Sequence, residues 1–128
     1  MRVRKAAPSL TILAVGTLAA APALAHHSLA MFDNQKNTTL EGTVKAFQWI
    51  NPHSWVVLLV RNPVTRRDEE WSIEGASPNV LARRGWTRAS LKAGDKATVV
   101  IHPLKDGSNG GSLVSASVKG VAIAGGRA

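Results

Sequence analysis

The chain has 128 residues and no cysteine, and its sixteen Lys and Arg against eight Asp and Glu give a formal charge of +8. A chain of this length builds one small domain. The lack of cysteine excludes disulfides and thiolate chemistry, so a bound metal ion would need nitrogen and oxygen ligands, plus at most the thioether of Met31.

The first 25 residues have the three parts of a secretory signal peptide. A basic start precedes an apolar stretch at 10–21 and the small-x-small sequence Ala23-Leu24-Ala25. The apolar stretch is shorter than the ~20 residues of a membrane-spanning helix, and no later stretch is long enough. We therefore expect cleavage near Ala25 and a periplasmic or secreted mature chain, 26–128, without a transmembrane segment. Its formal charge would be +5, because three basic residues leave with the signal.

Two strands and a turn are predicted after an extended N-terminal segment at 26–37. Apolar and polar residues alternate from Thr38, as in a strand with one buried face. Asn51–Ser54 predicts a turn, because Pro52 fixes its own φ and restricts the residue before it. The apolar run Trp55–Val60 then predicts the second strand.

A third strand and a short helix follow. Trp71 and Ile73 share one face of the strand predicted at Glu70–Glu74, and we expect Trp55 and Trp71 to lie in the core. Ser77 is the predicted N-cap of a helix of about two turns, with Pro78 at its first position and Gly85 just after its end. Trp49 and Trp86 are expected beside turns.

Two further strands complete the prediction, at Lys96–His102 and Leu113–Val121, separated by a glycine-rich loop. The order of elements predicts a mainly β fold, a five-stranded OB-like barrel with one short helix between strands 3 and 4. The barrel would occupy 38–121, and 122–128 would form a flexible tail.

Six short motifs resemble a bacterial exported family known only as a domain of unknown function. They are H-H-S-L-A-M-F-D (26–33), L-E-G-T-V (40–44), W-I-N-P-H-S-W (49–55), S-P-N-V-L-A-R-R-G-W (77–86), L-K-A-G-D (91–95) and K-D-G-S-N (105–109). The resemblance covers nearly the whole mature chain and implies a small exported protein with an OB-like barrel. It implies no activity. Leu29 departs from the family pattern, in which an aromatic residue is usual.

The histidines suggest a metal site. Cleavage after Ala25 would give His26 a free α-amino group with an ordinary pKa of ~7.7–8.0, which can deprotonate and bind a metal near neutral pH. This amine, the His26 imidazole and a third nitrogen from His27 or His53 would suit copper(II), or another divalent metal. About 10 extended residues at ~3.3 Å each would let the N-terminal segment reach His53.

Simpler roles for the same residues stay open. His26 and His27 can be solvated residues of a chain end, and His53 can bond a backbone carbonyl, while His102 is expected to be structural. Three arginines near Trp86 either complement the dipole of the predicted helix or bind an anionic partner such as a lipid headgroup or a carboxylated small molecule. These arginines are Arg83, Arg84 and Arg88.

The sequence favours ligand binding over catalysis. Glu69, Glu70 and Glu74 are expected to be solvated, and no serine has the partners of a catalytic triad, so we predict no enzyme activity. Nucleic acid is not expected as a partner, since positive charge alone is not recognition. We predict an exported small ligand-binding protein of the bacterial cell envelope that binds copper or another divalent metal through its histidines. The alternative is a structural or protein-interaction OB module without metal, whose partner would be an envelope protein.

Overall fold

The computed structural model describes residues 29–123, and they form a closed five-stranded barrel with one short helix. The fold class predicted from the sequence is confirmed. After one 3-10 turn, Leu29–Met31, the elements in chain order are β1 (Thr38–Gln48), β2 (Trp55–Arg61), β3 (Asp68–Glu74), α1 (Pro78–Arg83), β4 (Lys96–Pro103), β5 (Gly110–Val118) and a two-residue β6 (Val121–Ala122).

Strand pairing closes the barrel in the OB-type order. The sheet runs β3-β2-β1-β4-β5-β6, and β3 also pairs with β5, in parallel. The first half of β1 pairs with β4 and its second half pairs with β2, so β1 bends across both. The barrel is closed where Ser72–Glu74 of β3 pair with Gly110–Ser112 of β5, which joins the two sides of the sheet.

The core contains apolar side chains from all five barrel strands and from α1. Leu58, Ile73, Leu81, Val99 and Ile101 are each fully buried. They occupy alternate positions of their strands or the inner side of the helix, as expected for elements with one buried face.

The tryptophans agree with the sequence prediction only in part. Trp55 was expected in the core, but Val56 takes the buried position and Trp55 is half-buried on the opposite face of β2. Trp71 shares the inner face with Ile73, as predicted, and is only partly buried against the core. Trp86 follows the turn at 84–85, as predicted, but its side chain is 2 % exposed and lies in the core. The prediction for Trp55 was wrong because β2 is apolar on both faces, so its sequence has no alternation that identifies the inner one.

Two strands also differ from their predicted bounds by two residues or more. β3 begins at Asp68 rather than Glu70, and β5 covers Gly110–Val118 rather than 113–121. The chain reverses after Val118 because Lys119 and Gly120 both have positive φ, 51° and 77°. Val121 and Ala122 then pair back onto β5, so residue 122, predicted in the tail, belongs to β6. Residues 124–128 of that tail lie outside the described part of the chain.

The segment before β1 is attached along the end of β4. Phe32 is buried and forms a β-bridge with Leu104. The Asp33 N–H donates to the Pro103 carbonyl at 2.9 Å, and the Lys105 N–H donates to the Met31 carbonyl at 3.0 Å. The segment predicted to be extended therefore contains one 3-10 turn and is held against the barrel from Met31 onward.

Helix α1 begins as its sequence predicts, and its cap is open to a direct test. The Ser77 Oγ accepts a hydrogen bond from the Val80 N–H at 3.4 Å, and Pro78 follows at the first helical position. We expect Ser77→Ala to lower the free energy of unfolding by about 1 kcal/mol, because a helical N–H loses its partner. Urea unfolding followed by circular dichroism would measure this. Ser77→Asp should keep wild-type stability, and an Ala variant as stable as wild type would show that the cap contributes nothing.

Candidate functional site

A cleft of about 580 Å³ lies between the N-terminal segment and the ends of β3, β4 and β5. Glu74, Ser112 and His102 line it together with the buried Leu113, while the chain neighbours Ile73 and Ile101 lie in the core. The polar residues that line the cleft are Asn34, Asn37, His53, Glu74, His102 and Ser112. The cleft therefore lies on the outside of the barrel and collects polar residues from five separate parts of the chain.

Strand register brings three of these residues into one row. Ser112 of β5 pairs with Glu74 of β3 on one side and with His102 of β4 on the other. Neighbouring strand backbones lie about 4.8 Å apart, so the Cα atoms of Glu74 and His102, two strands apart, are separated by about 10 Å. Residues distant in sequence thus form one side of the cleft.

His53 reaches the cleft from the turn between β1 and β2. The Ser54 N–H donates to the Ala76 carbonyl at 3.1 Å, and the Gly75 N–H donates to the Ser54 carbonyl at 2.8 Å. These two bonds hold the turn against the chain that leaves β3. The His53 Nδ1 lies 3.2 Å from the Glu74 Oε1 and 3.3 Å from the Gly75 carbonyl oxygen. The bond to a backbone carbonyl, one of the roles that the sequence left open, is therefore present.

His102 has a similar environment on the other side of the cleft. Its Nδ1 lies 2.9 Å from the Lys36 carbonyl oxygen. This contact connects β4 to the segment that precedes β1, in agreement with the structural role predicted for His102. That His102 and His53 line the same cleft was not predicted from the sequence.

A smaller pocket of about 280 Å³ adjoins the cleft and is mostly apolar. Met31, Trp55 and Leu104 line it, and it shares Phe32 and Glu74 with the cleft. Trp55, on the outer face of β2, thus belongs to this pocket. Met31 and Phe32 of the N-terminal segment thus line the same pocket as Glu74.

The charge of both cavities differs from that of the whole protein. Among the described residues that line them there is one carboxylate, Glu74, and no Lys or Arg. The whole chain has twice as many basic as acidic residues. Since Glu74 is 10 % exposed, its charge is poorly screened by water, and the cavities are better suited to a cation than to an anion.

Of the three histidines predicted to bind a metal, the structure describes only His53. His26 and His27 lie outside the described residues. Within residues 29–123, no group of three or more His, Cys, Asp or Glu side chains is arranged to hold a metal ion.

The predicted anion site does not form one surface with its tryptophan. Arg83, Arg84 and Arg88 are exposed at the end of α1 and after it. Trp86 instead points into the core, where its ring centroid is 6.1 Å from that of Phe47. An anion would therefore meet the arginines without the indole ring.

Glu74 is the residue that the sequence analysis missed. It was expected to be solvated with Glu69 and Glu70, but its side chain is 10 % exposed, against 49 % for Glu70. The residues next to Glu74 in the sequence do not indicate that its side chain is buried. Its burial results from the β1–β2 turn, which lies over the end of β3.

No helix among the described residues has the length and apolar composition needed to cross a membrane.

The match to a family model covers the whole cleft. No curated protein and no solved structure matches the chain significantly. A model described as "Family of unknown function (DUF6152)" matches residues 14–114, which include every residue that lines the cleft, from Phe32 to Val114. This match covers well over half of the 128 residues. The chain therefore belongs to the DUF6152 family, whose function is unknown.

Proposed function

We propose that the protein is an exported metal-binding protein of the bacterial cell envelope. Copper(II) is bound by the α-amino group and imidazole of His26 and by the imidazole of His53, with His27 as the other source of a third nitrogen. The observation that carries this proposal is the attachment of the N-terminal segment to the cleft that contains His53.

The N-terminal segment is bonded to the barrel at Met31, which lines a pocket that adjoins the cleft of His53. Met31 lines the pocket that also contains Glu74, and the Glu74 Oε1 is 3.2 Å from the His53 Nδ1. His26 lies five positions before Met31, and three extended steps at ~3.3 Å plus the two steps of the 3-10 turn Leu29–Met31 at ~2.0 Å reach about 14 Å at most. The chain between His26 and Met31 is therefore less than half as long as the ~33 Å that about 10 extended residues of the N-terminal segment would span.

The type of ligand also supports the proposal. A cavity with imidazoles, one carboxylate and no Lys or Arg among its described lining residues favours a divalent cation. Nitrogen donors prefer copper(II) among the divalent ions of the first transition row. A terminal amine contributes only after signal cleavage, so the site would be completed on export.

Copper titration of the mature protein tests the proposal. We expect protein that starts at His26 to bind one Cu(II), with nitrogen ligation visible by electron paramagnetic resonance. One Met added before His26 should weaken binding by more than about 100-fold, the upper end for loss of an outer-shell partner, because it displaces a directly bound amine. Affinity should also fall as the pH is lowered, because amine and imidazole must both be deprotonated to bind.

Two histidine variants supply a matched comparison within one cleft. His53→Ala should weaken binding at least about tenfold. His102→Ala, which removes the other histidine of the cleft, should leave the affinity within about twofold, because His102 is not among the proposed ligands. Equal affinity for the mature, Met-extended and His53→Ala proteins would contradict the proposal and favour a metal-free OB module that binds an envelope protein. Mass spectrometry of exported protein would check that His26 is the first residue.

A further inference from the structure

We propose that Glu74 is a positioning residue that holds His53 in the tautomer whose Nε2 is free to bind a metal ion. This inference rests on the proposed function, because it names the residue that orients one of the proposed ligands. It concerns a carboxylate whose sequence context predicts a solvated side chain.

Two acceptors converge on one nitrogen of His53. The Glu74 Oε1 and the Gly75 carbonyl oxygen lie 3.2 and 3.3 Å from Nδ1. A carbonyl oxygen and an ionised carboxylate only accept hydrogen bonds, so Nδ1 must carry the proton. A neutral imidazole carries one ring proton, and its Nε2 then has a free lone pair.

The position of Glu74 is fixed by the sheet. Glu74 pairs with Trp55 of β2 on one side and with Ser112 of β5 on the other. The side chain is 10 % exposed, whereas that of His53 is 48 % exposed. The carboxylate is therefore the fixed partner, and the imidazole is held by it at the open side of the cleft.

The charge of Glu74 indicates what the pair can bind. A carboxylate that is only 10 % exposed is stabilised by a nearby positive charge, which a protonated His53 or a metal ion bound to it can supply. No Lys or Arg among the described residues lines the two cavities that Glu74 borders. A metal ion bound to the His53 Nε2 would place a positive charge near Glu74. It would also polarise the imidazole, which makes the Nδ1–H a stronger donor to the carboxylate. This is the carboxylate–histidine–metal arrangement, in which the carboxylate orients the ring and raises its basicity.

Nuclear magnetic resonance of the metal-free protein tests the tautomer directly. Long-range ¹H–¹⁵N spectra, recorded at a pH where His53 is neutral, should show its proton on Nδ1. In Glu74→Ala only the Gly75 carbonyl remains as an acceptor, so we expect a mixture of the two tautomers. A proton on Nε2 in the wild-type protein would overturn the proposal, even if copper binds.

Copper affinity gives the second readout, with a control on the same strand. Glu74→Ala should weaken Cu(II) binding by about 10- to 100-fold, the range for loss of an outer-shell partner. Glu74→Gln should recover part of the loss, because its amide oxygen can still accept from Nδ1. Glu70→Gln should have no effect, since Glu70 is half-exposed and paired with Lys45.

The two readouts separate this inference from the proposed function. A wild-type protein that binds no copper would overturn the proposed function, whereas the tautomer spectra would still decide whether Glu74 positions His53. If Glu74→Ala folds normally and changes neither the tautomer nor the copper affinity, Glu74 has no positioning role.

Discussion

Replacing Trp86 with alanine is expected to lower the free energy of unfolding by about 3 to 5 kcal/mol. Trp86 is 2 % exposed and belongs to the main core cluster. Its ring is tilted 55° to that of Phe47 at a centroid distance of 6.1 Å. Removing the indole would leave a cavity that the barrel strands cannot close, because they are fixed by pairing on both sides. Urea unfolding followed by far-ultraviolet circular dichroism would measure the loss.

Trp55→Ala is the matched control for this prediction. Trp55 lies on the outer face of β2 and is half-buried, so its loss should cost only about 1 kcal/mol. The urea dependence of the unfolding free energy should stay unchanged in both variants if each alters stability alone. A larger loss for Trp55→Ala than for Trp86→Ala would show that the core has been assigned to the wrong tryptophan.

The barrel was predictable because its signals are local. Alternation in β1 and the Ser77–Pro78 start of α1 depend on neighbouring residues only. The burial of Trp86 is different, because it depends on how the chain turns after α1. There the Trp86 N–H donates to the Leu81 carbonyl at 3.0 Å. This bond turns the chain back at the end of α1, so that the indole packs in the core.

The candidate site was predictable only in part, for the same reason. His53 could be placed on a turn because Pro52 marks it in the sequence. Glu74 could not be recognised, since its burial depends on contacts between residues far apart, such as the bond from the Ser54 N–H to the Ala76 carbonyl. Its pairing with Ser112 likewise depends on the parallel closure of the barrel, which no local pattern specifies.

Barrel closure also explains a glycine in β1, at the position where this strand pairs with both of its neighbours. Gly42 pairs with Val60 of β2 and with Ala97 of β4. A Cβ at this position would collide with the Leu59 carbonyl oxygen and would lie 2.9 Å from the Leu58 Cγ. The main obstacle is backbone, which cannot move without separating β1 from β2.

We therefore expect Gly42→Ala to lower the free energy of unfolding by about 3 kcal/mol, near the upper end of the range for overpacked cores. Gly75→Ala is the matched control, because a Cβ there would meet its nearest atoms, on Leu113 and Ser54, at an ordinary 3.5 Å. That variant should stay within about 1 kcal/mol of wild type, since alanine also restricts the unfolded chain. Urea unfolding of both variants would measure the difference. A Gly42→Ala protein as stable as wild type would show that β1 and β2 do not approach each other this closely at the bend.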